Sequence, residues 1–176
     1  MKHLLLVALF LSATAAASSK HNPCEGAPGA LWLNPDNSAG GFVADTATVG
    51  PSVFIAEEAS VCDRASVDEG VRLLDRAVVA GRAQVRGRVV LAGDALVYGE
   101  AYVANFAGTP LRIDAYAEVF GAAFLYGSVV MTDVAQAYGF AKIVDFAQLK
   151  GTSKICGNAV LRGHAVIEND STLCGD

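Results

Sequence analysis

"VAGRAQVRGRVVLAGDALVYGEAYV", Val79–Val103, places an aliphatic residue at every sixth position: Val79, Val85, Leu91, Val97 and Val103. Two places after each of the first four stands a glycine (Gly81, Gly87, Gly93, Gly99), and Ala83, Ala95 and Ala101 stand four places after three of them. Side chains that alternate between two environments belong to a strand. A glycine every six residues supplies a point where the backbone turns without a Cβ clash. A helix is excluded, because six is no multiple of 3.6 and each interior glycine would cost about 1 kcal/mol.

The same count runs back through Leu73, Val67, Val61, Ile55 and Val49 to Val43, and forward from Ile113 to Leu173. Of these 22 anchor positions all but Ala137 hold Val, Ile, Leu or Met, although those types fill only 44 of the 176 positions. Where no glycine stands two places after an anchor, the sequence mostly puts Asp, Asn or Glu. One break interrupts the count, at "ANFAGTPLRI" (104–113), where the anchors are ten apart. Four extra residues there should bulge from a corner near Gly108-Thr109-Pro110, within an insertion over 104–112.

A hexapeptide period is the signature of a parallel β-helix. Three hexads close one triangular coil of about 18 residues, with alanines keeping the coil narrow and the anchors stacked inside. The expected fold is all-β, a β-solenoid of about seven coils and about 34 Å long. The pattern from Val43 to about Leu173 resembles the hexapeptide-repeat superfamily, and the resemblance implies a left-handed coil. A right-handed triangular solenoid of bacterial cytoskeletal type is the other shape considered.

Outside the repeat, the chain opens with Met1-Lys2-His3, an apolar run Leu4–Leu11 and the small residues "SATAAASS". That order reads as a secretory signal peptide over 1–17, with cleavage after Ala17. Residues 18–41 carry the chain's one tryptophan, Trp32, and are expected to cap the first coil of a solenoid spanning 42–176. No segment reaches the roughly 20 apolar residues a membrane-spanning helix needs. An exported, periplasmic or extracellular chain with four cysteines points to disulfides. The net charge of −5 speaks against nucleic acid.

Residues three hexads apart become vertical neighbours, which assigns the cysteines. Cys156 and Cys174 share an outward column at about the 4.8 Å strand spacing, so they are expected to pair. Cys62 lies on that column too far away and is left with Cys24. A metal site is not expected, since four converging ligands are missing. The same column carries Tyr98, Phe120 and Tyr138, and neighbouring columns carry Tyr102, Phe124 and Phe140. These six are expected to form one outward aromatic face, with Tyr126 and Phe146 on the next. Charges at the same spacing (Glu58, Arg76 and Asp94; Asp68 and Arg86) are expected to pair across coils, worth a few tenths of a kcal/mol each.

An aromatic face suggests self-association as a trimer or face-to-face dimer, a cell-envelope or glycan partner, or rungs that only stabilise the coils. Acyltransferases of the superfamily use a histidine base beside a long loop, and its zinc carbonic anhydrases need three histidines. After the leader this chain has only His21 and His164. The expectation is a non-enzymatic structural or adhesive module without a cofactor. An inactive or divergent acyltransferase is the alternative. Ice binding is weaker still, because no face repeats a threonine row.

Overall fold

The computed structural model describes Cys24 and residues 26–176, so the expected leader at 1–17 lies outside the described residues. Beyond an opening hairpin the strands are short and run parallel to their neighbours in a solenoid of about seven turns. Three sheets form its sides. The first runs from Ala39–Ala44 to Thr172–Gly175, the second from Thr48–Val49 to Val160–Leu161, and the third from Phe54–Ile55 to Val166–Ile167.

Register follows the expected spacing. Ser66 is opposite Gln84 and Cys156 is opposite Cys174, each pair three hexads apart, while Val103 faces Leu125 across the break. The break itself is narrower than the expected 104–112. Ala104 and Asn105 finish a strand, Leu111–Ile113 begins the next, and only 106–110 leaves the coil. Asn105 holds the base of this loop, donating to Thr109 O at 2.6 Å and accepting from Ala107 N at 3.1 Å.

Inside, anchors from Ile55 to Ile155 are sealed from solvent, Ala137 among them. The small-residue positions at the first corner are filled by Ala65, Ala83, Ala101, Ala123 and Ala141. The second corner differs. Val53, Val71, Val89, Leu111 and Val129 point inward there, each at most 1% exposed. The triangle is therefore padded unequally, with bulkier side chains where the chain enters the third sheet.

At most corners the position two residues after the anchor has a left-handed backbone. Glycine meets it, for example Gly99 at φ +75°, and so do Asp63, Glu69, Asp75, Ala115, Asp133, Asp145 and Asn169. Aspartate does more than tolerate the conformation. Asp63, Asp75, Asp133 and Asp145 each accept a hydrogen bond from the backbone N–H of the glycine one coil on (Gly81, Gly93, Gly151, Gly163) at 2.8–3.0 Å. A carboxylate acceptor of this kind contributes roughly 1 kcal/mol at an exposed site. Asp133→Ala should lower stability by about that amount and Asp133→Asn by less, read from urea midpoints, because Asn keeps both the acceptor and the tolerance of positive φ.

The amino-terminal end is closed by an antiparallel hairpin of β1 (Gly29–Leu33) and β2 (Ala39–Ala44). β2 is already the first strand of the solenoid, so the expected boundary at 41/42 cuts through it. Trp32 packs on the core and donates from Nε1 to Val53 O at 3.2 Å. Asn34 is buried and imitates a strand: its Oδ1 accepts from Ile55 N at 2.8 Å, and its Nδ2 donates to Ile55 O at 3.0 Å. These side chains satisfy the open edge of the third sheet. At the other end Leu173, an anchor, is 40% exposed.

Candidate functional site

The aromatic residues stand in stacks rather than on one face. Tyr98, Phe120 and Tyr138 immediately follow strands of the first sheet and form a continuous ladder, with centroids 5.0 and 4.9 Å apart and planes within 9° and 4°. Tyr102 and Phe124 lie in strands of the second sheet, 5.3 Å apart and 7° from parallel. Phe140 sits on the corner between those sheets. The expectation of a single face is thus corrected: residues 98 and 102 of one coil are separated by the turn at Gly99, so their columns flank a corner. Tyr126 also departs from the reading. It shares a strand with Phe124, 6.2 Å away, and meets Phe106 of the insertion loop at 6.4 Å.

Stacking decides what these rings can offer. In the three-ring ladder at about 5 Å Phe120 has both faces covered by its neighbours, while Tyr98 and Tyr138 each have one face covered. Partial burial desolvates Tyr98 and raises its phenol above the ordinary tyrosine value, with Glu118 adding to the rise. The fold therefore favours the neutral phenol. Any stability from this shift is present at neutral pH and is lost only as pH rises through the elevated pKa. Tyr98, Tyr102, Phe120, Phe124 and Tyr138 are half-buried. Greater exposure belongs to Phe140 (65%), Phe146 (52%), Phe106 (50%) and Tyr126 (44%).

Two more contacts follow the three-hexad rule. His164 stacks on Phe146 at 4.9 Å and 6°, and the Arg72 guanidinium lies 4.8 Å over the Phe54 ring. Both were open to detection from spacing alone.

Among the charged columns, Arg76 and Asp94 form the expected pair at 2.6 Å. Asp94 raises the arginine pKa, and Glu58 contributes only through its distant charge. Asp68 and Arg86 are register partners but form no ion pair; Asp68 Oδ1 accepts from Glu69 N instead. Arg82 and Glu100 approach to 3.8 Å, largely solvated.

The cysteines form two disulfides, Cys24–Cys62 and Cys156–Cys174, with Cα separations of 5.2 and 4.4 Å. The first holds the segment before β1 against the outside of the first sheet, where Cys24, Cys62 and Val78 pack with Ala27, Phe42, Ala80 and Leu96. The second joins the last strand to its neighbour. Two disulfides fit an oxidising compartment. Among the described residues no helix is long and apolar enough to cross a membrane, and no group of three potential ligands is placed to hold a metal. Comparison with protein families, with curated proteins and with solved structures finds no match for this chain.

Proposed function

We propose that this chain is an exported, non-enzymatic scaffold of the hexapeptide-repeat kind, whose work is to hold a rigid outer surface against copies of itself or against the cell envelope. The observation that carries the reading is the contrast between its inside and its outside. The interior is filled along its length by Val, Leu, Ile and Ala, while Phe106, Tyr126, Phe140 and Phe146 stay exposed around the second sheet. Exposed aromatic clusters of this kind mark contact surfaces. A sugar-stacking platform is disfavoured, because the ladder rings cover one another's faces. In this reading the Tyr98–Phe120–Tyr138 stack serves the coil, and the exposed rings serve the partner.

Light scattering on the oxidised protein, together with retention on isolated cell envelopes, tests the proposal. The expected result is a mass above that of one chain or retention on envelopes, with either reduced by the double change Phe140→Ser/Tyr126→Ser. A monomer at every concentration that also washes off envelopes would remove it.

A further inference from the structure

The second sheet carries more than aromatic rings. From Arg82 to His164, the sheet and its two bordering corners hold five cations (Arg82, Arg86, Arg88, Lys142, Arg162) and two carboxylates, Glu100 and Asp145. Those coils carry a local excess of three positive charges on a chain whose net charge is −5, next to a coil of the same sheet where Asp63, Asp68 and Glu69 outnumber Arg64. Both carboxylates are engaged: Glu100 lies near Arg82 at 3.8 Å, and Asp145 accepts from Gly163 N at 3.0 Å. Arg86, Arg88, Lys142 and Arg162 take part in no ion pair among the described residues.

The exposed rings border the same area. Phe140 rises from the corner on one side, and Phe106 and Phe146 rise on the other, so apolar rings flank two groups of cations, Arg86 with Arg88 and Lys142 with Arg162, at the two ends of about 20 Å of sheet at the strand spacing. Arg88, Lys142, Arg162 and the three phenylalanines are all solvent-exposed. Unpaired positive charge beside exposed aromatic rings is what an anionic lipid surface recognises. Cations collect at the headgroups, and aromatic edges enter the interfacial layer. A second copy packed two-fold on this face would bring Arg86 and Arg88 toward Lys142 and Arg162, setting like charges together.

We propose that the second sheet, from the coil of Arg86 to that of Arg162, docks on membranes bearing anionic lipid. This rests on the scaffold reading above and names its envelope partner. Co-sedimentation of the oxidised full chain with vesicles is the test, comparing phosphatidylcholine alone with phosphatidylcholine containing phosphatidylglycerol. Binding is expected only to the anionic vesicles and should fall steeply with added salt. Arg88→Gln/Arg162→Gln should weaken it more than about ten-fold. Lys154→Gln, on the first sheet, should leave it unchanged. Phe106→Ser/Phe146→Ser should weaken binding while leaving the salt dependence in place.

No binding, equal binding to neutral vesicles, or equal sensitivity to Lys154→Gln would each overturn the proposal. Light scattering on the same sample separates the two readings. A defined soluble oligomer without vesicle binding leaves the scaffold standing and sinks the lipid partner. A monomer that binds neither vesicles nor envelopes sinks both.

Discussion

Replacing Cys156 and Cys174 together with serine is expected to free the last strand, Thr172–Gly175, while the coils before it stay folded. A disulfide whose cysteines lie 18 positions apart contributes about 3 kcal/mol by loop-closure entropy. In a stack where each coil touches only its neighbours, that loss falls on the end unit rather than on the whole chain. Beyond that bond the last strand is held on one side only, by its pairing with Lys154–Gly157 and by Asn158 Nδ2, which donates to Asp176 O at 2.6 Å. Thr172, Leu173 and Cys174 are exposed, and the strand accepts Lys154 N–H through Ser171 O and Asn158 N–H through Gly175 O. Exchange at the Lys154 and Asn158 amides should therefore speed up by about 100-fold, the equivalent of that energy. The Tyr102 amide, bonded to Ala123 O in the middle of the stack, should be nearly unaffected. Equal loss at both places would mean that the coils unfold as one unit and that the bond guards the whole solenoid.

The second large effect is expected at a corner. Gly121 has φ +69°, and a Cβ there would lie 3.0 Å from Gly139 N and 3.2 Å from its carbonyl oxygen. Gly121→Val must hold a β-branched residue in the left-handed region, at about 1–2 kcal/mol or more, and must also push one coil away from the next. A total near ~3 kcal/mol is the expected loss, read from the urea midpoint. Ala115→Gly supplies the opposite sign at an equivalent corner. Ala115 already sits at φ +59°, so glycine removes its strain, against a smaller entropic cost of about 0.4–1 kcal/mol. That variant should be as stable as the parent or slightly more so.

Much of this architecture was legible because the repeat is carried by single residues in fixed places. Val79, Val85 and Leu91 announce the period, Gly81 and Gly87 the corners, and Cys156 with Cys174 the vertical pairing. The inequality of the corners was also present in the sequence, as Val53, Val71 and Val89 recurring once per coil, but a search at period six averages it away. The Asp63 bond to Gly81 was harder to see. An aspartate at a turn is explained well enough by its tolerance of positive φ, and nothing local reveals a donor one coil on. Asn34 lies before the repeat begins, where no period guides the eye.

The aromatic surface was legible only in part. Spacing placed Tyr98 beneath Phe120 and Tyr102 beneath Phe124, but it could not tell whether the turn at Gly99 joins those columns or divides them. Nor could it tell that the rings lie parallel and cover one another. Phe106 escaped for a different reason: it belongs to the insertion, outside the six-residue frame, yet it reaches Tyr126. Exposure therefore favours Phe106, Phe140 and Phe146 over the ladder as the proposed contact surface.

Ring-to-ring nuclear Overhauser contacts are the most direct measurement of the coil on which all of this depends. Tyr98 should show contacts to Phe120 and Phe120 to Tyr138, as should Tyr102 to Phe124 and Phe146 to His164. Each of those contacts joins one coil to the next, three hexads on, with the insertion added where the path crosses it. Their absence, or strong contacts between rings that the coil holds apart, such as Tyr98 with Phe146, would contradict the triangular coil and every column read from it.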